Sequence, residues 1–316
     1  MSTYLIYVCI SVAAAFLLFA ALYLIRRDFS GAACALLSLP VCCVLGFAMA
    51  KLVYVLLMES GNIVQWGEWD VFLNMKPKTF SFVGGAAGVC LGVLLSAKIA
   101  KKKPAGKVLD TFVLPGALLI AGLRLAEVEL GALGTGRFIE VPEGSPYLIL
   151  AVFNKYGEPH VAVFVWEAAA AIVVGLFSLI RKEEKPGQCF RTAVFRLCIC
   201  QILLENMRSQ NLKWGFVCVE QLLCAIIVMA LTLEACVHIQ KQKRMARFLP
   251  AGAMLLCIGA IVGAEFLRQR SPSRFMGMHG GYLIMSVILI VMLLIYRSLV
   301  RQLSPSLLSG QESAKG

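Results

Sequence analysis

Ionisable residues set inside long apolar runs are the first candidates for chemistry in this sequence. Lys51 interrupts the run over residues 32–58, and Asp110, Arg124, Glu127 and Glu129 mark the run over 108–130. Glu167 lies in 161–180, Glu205 and Arg208 stand at the end of 190–205, Glu220 and Gln221 open 216–238, and Glu265 sits in 249–266. A charge at mid-membrane costs about 2.5–3.5 kcal/mol on insertion scales, so each of these needs a partner or a purpose. Arg124 and Glu127 are spaced i, i+3 and share one helix face. Either they form an intrahelical ion pair that lowers the insertion cost, or Arg124 faces an outward-open cavity. There its planar fork would hold a phosphate, the anionic part of a phospholipid head group.

Other residue patterns carry less chemistry. Glycines 84, 88 and 92 form a small-residue stripe that lets another helix approach closely, and the Gly84-Gly85 pair could also leave room for a ligand beside the backbone. Twelve cysteines lie almost entirely within apolar runs, where Cys acts as a small hydrophobe. None forms a CxxC pair beside a His pair at zinc spacing, so no metal and no cofactor is expected. His279, in Met278-His279-Gly280-Gly281 beside a three-Arg segment, is a speculative replacement base. His160 reads as an interfacial residue, and His238 as a cation at a helix C-terminus.

The elements that position these residues are membrane helices. Hydrophobic residues make up 59% of the 316 and charged residues 15%, too few for a soluble domain of this length. Mean hydropathy is +0.81. Nine apolar blocks match the thickness of a bilayer: residues 4–25, 32–58, 80–100, 108–130, 161–180, 190–205, 216–238, 249–266 and 281–296. The sixth is short and carries Arg191 and Arg196. The net charge of +12 comes from short basic clusters at the ends of these blocks, the pattern of topology-setting loops, which argues against nucleic-acid binding. Arg26 and Arg27, Lys101 to Lys107, and residues 181–185 and 241–247 all fall on the cytoplasmic side if the N-terminus is outside. The expected topology is a multi-pass plasma-membrane protein with a cytoplasmic C-terminus. Arg268, Arg270 and Arg274 break the rule on the outer side, which points to a miscount or to a loop that handles anions. The apolar stretch 147–153 in a long outer loop is expected to lie re-entrant or along the surface.

With these residues in place, the sequence resembles the prolipoprotein diacylglyceryl transferase family. Ser81-Phe82-Val83-Gly84-Gly85 is similar to the family's Ser-Phe-His-Gly-Gly. Asp110, Pro115 and Gly122-Leu123-Arg124-Leu125-Ala126-Glu127 resemble its Asp, Pro and Gly-Arg-x-Gly-Asn-Phe run, with Glu129-Leu130 and Gly131 after them. Gly46 to Leu56 is similar to Gly-Ala-Arg-x-Gly-Tyr-Val-Leu, Trp166-Glu167 to Tyr-Glu, Gln201 to Arg208 to Arg-Phe-Ile-Val-Glu-Phe-Phe-Arg, and Glu220-Gln221 to Gly-Gln. Order and spacing hold over residues 1–240.

The resemblance implies an all-α polytopic fold: a seven-helix transferase-like bundle over 1–240, followed by a helical hairpin and polar tail over 241–316. It also implies a reaction, the transfer of a diacylglyceryl group from phosphatidylglycerol to the lipobox cysteine of a prolipoprotein signal peptide, or to a related acceptor. Arg124, Glu205 and Arg208 then become catalytic, and Tyr4, Tyr7, Gly84, Gly85, Glu127, Glu129, Gly131, Glu167 and Gln201 substrate-binding. Three departures stand out: Val83 replaces the family His, Gln201 an Arg, and Glu127 an Asn. A lipid- or lipoprotein-binding protein that keeps the fold without catalysis is the alternative, and a small transporter lined by Lys51, Arg124 and Glu127 the third reading.

Overall fold

Backbone polar groups find no water inside hydrocarbon, so each apolar run must satisfy them within a helix. A computed structural model shows such a helix at every expected span. The structure describes residues 2–58, 76, 79–100, 104–136, 138, 151–153, 157–180, 185–209, 213–214, 217–238, 246–270 and 280–303. In chain order the long helices are α1 (Ser2–Ile25), α2 (Phe29–Met58), α3 (Phe82–Ala100), α4 (Ala105–Ala126) and α5 (Val163–Ile180). They continue as α6 (Gln188–Glu205), α7 (Val219–His238), α8 (Leu249–Arg270) and α9 (Gly281–Leu303). All but α6 are long and apolar enough to cross a membrane by length and composition.

The neighbours of α6 explain how it tolerates its charges. The Arg191 fork donates to Glu234 of α7, with Nε 3.1 Å from Oε2 and Nη2 2.7 Å from Oε1. The Arg196 guanidinium lies 5.8 Å from the ring centre of Phe177 on α5. Asp110 of α4 caps the start of α6, accepting from Gly187 N at 2.6 Å and Phe190 N at 2.9 Å. It satisfies two donors that no intrahelical carbonyl reaches.

The glycine stripe of α3 packs against α2. A side chain at Gly84 would meet the Met49 carbonyl at 2.7 Å, one at Gly92 would meet Cys42 Sγ at 2.7 Å, and one at Gly88 would strike the Leu45 backbone. Phe112 on α4 joins α1 through Phe19, with ring centres 5.1 Å apart, and through Phe16 at 6.0 Å. A second apolar core contains Ile199 and Ile202 of α6, Cys224 and Val228 of α7, Met254 of α8 and Met285 of α9. Within it Phe195 of α6 stacks on Tyr296 of α9 at 3.9 Å between ring centres. The two C-terminal helices thus share a core with α6 and α7.

The fourth span reaches residue 130 as expected, its α-helix passing at Ala126 into a 3₁₀ segment, Glu127–Gly134. That segment kinks at Gly131, whose φ of 62° and ψ of −115° suit a residue without a Cβ. Residues 151–153 of the stretch expected to lie re-entrant or flat form a strand instead, and 147–150 lie outside the described residues. This strand, β1 (Ala151–Phe153), pairs antiparallel with β2 (Pro159–Val161). A short apolar run can bury one face as a strand as readily as in a helix, and periodicity over seven residues does not separate the two. A smaller hairpin pairs β3 (Lys213–Trp214) with β4 (Val217–Cys218).

Candidate active site

Helices α4 and α6 end, and α5 begins, at the end of the bundle where α1 starts. The last turn of α4 presents Arg124, the second turn of α5 presents Glu167, and the last two turns of α6 present Gln201 and Glu205. A short turn after α6 places Arg208, with Met207 N donating to Leu204 O at 2.9 Å and Arg208 N to Glu205 O at 3.2 Å. Three separate stretches of sequence thereby meet in one ionic network.

Arg124 Nη1 donates to Glu127 Oε1 at 2.7 Å, the i, i+3 pair that the spacing allowed. Arg208 Nη2 bridges Glu127 Oε2 at 2.7 Å and Glu167 Oε2, and its Nε donates to Glu167 Oε1 at 3.1 Å. Glu205 Oε2 stands 3.9 Å from Arg208 Nε. Gln201 Nε2 donates to both Glu167 Oε1 (3.0 Å) and Glu205 Oε2 (2.9 Å), linking the two acids. Phe82, at the start of α3, lies under the Arg124 guanidinium with its ring centre 3.6 Å from Cζ. Arg124 and Glu167 are 4% and 3% exposed, so the network is dry enough for its charges to matter.

Burial works against the charge on Arg208, but Glu167 and Glu127 outweigh it and raise its pKa further, so the group stays cationic. One donor remains open. Arg124 Nε lies 3.3 Å from Glu167 Oε2 yet is not aimed at it, and it has no hydrogen-bond acceptor among the described residues. A buried, unpaired guanidinium donor is costly, and a ligand oxygen would satisfy it.

The backbone closes over this network. Gly136 N donates to Val161 O at 2.7 Å and pairs as a β-bridge with Arg208, and Ser209 N donates to Thr135 O at 3.0 Å. His160 Nδ1 is 3.1 Å from Gly136 O, which makes this His part of the roof and not a base.

Several expected site residues lie elsewhere. The Arg124 guanidinium is engaged by Glu127, the pair that the i, i+3 spacing allows, and by Glu167 from α5. Gly84 and Gly85 face α2, at Met49 and Ala50, so helix packing uses the space a ligand would have needed. Glu129 is exposed, and Gly131 serves the kink. Tyr4 is partly buried, whereas Tyr7 is 44% exposed. Lys51 donates to Thr79 Oγ1 at 3.1 Å, between the rings of Tyr54 and Phe80. His279 lies outside the described residues.

Val83, at the position of the family His, packs against the α6–α9 core. Glu220 is a cap: its carboxylate accepts from Phe82 N at 2.9 Å and Val83 N at 3.1 Å, while Ser81 Oγ accepts from Gly84 N at 3.0 Å. Phe82 and Asn206 are additions to the expected residues, although both lie inside the motifs 81–85 and 201–208, whose glycines and charges drew the eye first.

A bundle of apolar helices with a buried ionic centre at one end defines a polytopic membrane protein with a built polar site. The prolipoprotein diacylglyceryl transferase family matches residues 2–237, and the chain belongs to that family. Its members are integral membrane transferases acting on phospholipid and prolipoprotein substrates. No curated protein and no solved structure matches the chain.

Proposed function

We propose that the chain transfers a diacylglyceryl group from phosphatidylglycerol to the lipobox cysteine of a prolipoprotein signal peptide. The carrying observation is the convergence of Arg124, Glu127, Glu167, Gln201, Glu205 and Arg208 into one buried network from positions scattered over some eighty residues of sequence. The basic clusters at the opposite helix ends support a location of this end at the outer leaflet, with the N-terminus outside and the C-terminus cytoplasmic.

In the reaction the cysteine sulfur attacks the diacylglyceryl carbon that bears the phosphate. A carbon–sulfur bond forms, the carbon–oxygen bond breaks, and its electron pair leaves on glycerol phosphate. Arg124 donates its open Nε–H to a phosphate oxygen, and Arg208 adds positive field as charge develops on the leaving group. Glu205, whose Oε2 stands 3.9 Å from Arg208 Nε, takes the thiol proton. With Val83 in the place of the family His, Glu205 of the network stands in as the base.

One observation favours the binding reading. Three carboxylates surround two guanidinia, so the network is anionic when all are ionised, and it must yield a glutamate before a phosphate can enter. In cells depleted of their own transferase, the wild-type chain is expected to restore lipidation of a reporter prolipoprotein, and Arg124→Gln to fail. Absence of lipidation by a folded wild-type chain that still binds phosphatidylglycerol would leave the binding role in its place.

A further inference from the structure

Beyond the part of the chain that matches the family, the C-terminal hairpin places a buried arginine against the site. Arg268, in the last turn of α8, is 6% exposed. Its Nη2 donates to Asn206 Oδ1 at 2.7 Å, and its Nη1 donates to Tyr282 Oη of α9 at 3.1 Å. Tyr282 Oη in turn donates to the Asn206 carbonyl at 3.3 Å, and Asn206 Nδ2 points to Met285 Sδ at 3.4 Å. Asn206 is therefore held through its side chain and its backbone by two helices that follow residue 237. The sequence placed Arg268 in an outer loop. It lies in a helix instead, its charge directed at neutral oxygens.

The residue so held occupies a sensitive place. Asn206 directly follows Glu205 and begins the turn that delivers Arg208 to Glu127 and Glu167. A turn of three residues has few internal hydrogen bonds of its own, so its orientation depends on what grips it from outside. We infer that Arg268 is a positioning residue for the transfer reaction: through Asn206 it fixes the turn that aims Arg208 and Glu205, making the C-terminal hairpin a working part of the site. This rests on the reading of the ionic network as the transfer site.

Energetics support the assignment. Among the described residues the Arg268 guanidinium hydrogen-bonds neutral partners and its Nε has no acceptor, and such a group among apolar helices is expensive to bury. Tyr296, Leu289 and Met292 already dock the hairpin onto α6 and α7. A charge is not needed to hold the helices together, but a rigid fork with several donors is well suited to pinning one turn.

The test uses the full chain in phosphatidylglycerol nanodiscs, comparing wild type with Arg268→Ala, Arg268→Lys and Asn206→Ala. Two quantities are read: kinetics of lipobox-peptide modification, and amide hydrogen exchange along the chain. Positioning predicts that Arg268→Ala and Asn206→Ala each lower kcat by roughly tenfold to a hundredfold. KM for phosphatidylglycerol stays within about twofold, since misaim of the catalytic groups is not lost ground-state binding. The double variant is no worse than either single one, and Arg268→Lys recovers part of the rate. Exchange rises at residues 206–209 but not along α8 and α9.

Unchanged exchange at 206–209 overturns the inference, as does a rise throughout the hairpin, which would make Arg268 a docking residue only. Unchanged kcat with faster exchange at the turn also overturns it. If the wild type modifies no peptide and exchange still rises at the turn alone, the tie stands and the transferase reading falls.

Discussion

The α2–α3 seam and the α4–α5–α6 junction bring helices together by opposite means. In a bilayer the hydrophobic effect gives helices little reason to prefer each other to lipid, so close packing and polar contacts must do so. The seam works by subtraction: Gly84, Gly88 and Gly92 remove side chains, and the α2 backbone moves into the space. The junction works by addition, placing five charged groups and a glutamine where hydrocarbon would be cheaper. The seam runs the length of α3, as a stabilising contact should. The junction is confined to one end, has more acid than base and leaves a guanidinium donor open, which suits a site and not a strut.

Substitutions can break this contrast. The largest effect is expected from Arg208→Ala, which strands Glu127 and Glu167 in a dry environment. Removing one partner of a buried pair costs about 3–5 kcal/mol, read as a lower unfolding midpoint in mixed micelles. Gly88→Ala drives a Cβ into the backbone of Leu45 and Gly46 and should cost about 1–3 kcal/mol in the same assay, without touching the network. Glu220→Ala uncaps α3 beside Phe82 and should cost about 1–2 kcal/mol.

Glu127→Asn should have the smallest effect on stability, below about 1 kcal/mol, because the loss of hydrogen bonds is offset by relief of the acid excess. It sharpens the comparison because two guanidinia would then face two carboxylates. Phosphatidylglycerol binding in neutral-lipid vesicles should tighten severalfold. Weaker binding would show that Glu127 helps hold the lipid and does not merely screen Arg124.

The two regions also differ in how far the sequence discloses them. Glycines four apart on an apolar helix state their purpose locally, and the helices follow from the length of apolar runs. Arg124 and Glu127 are likewise legible as a pair by their i, i+3 spacing. That Glu127 would be shared with Arg208, or that Glu220 would cap a helix 138 positions away, has no local signature. Such partners are chosen by which helix ends meet, which depends on packing over the whole bundle. The family resemblance supplied the missing link by naming residues 124, 167, 205 and 208 together. It had nothing to say about Arg268, which lies past the matched region. The second partner of Arg124, Glu167, comes from a different helix and is hidden from local spacing for the same reason.

The most direct measurement is mass spectrometry of a lipobox peptide incubated with the purified full chain in phosphatidylglycerol nanodiscs. The account predicts one diacylglyceryl group joined to the cysteine sulfur by a thioether, glycerol phosphate released in equal amount, and neither product with Arg124→Gln. An unmodified peptide in the presence of a folded wild-type chain, or full modification by Arg124→Gln, would contradict it.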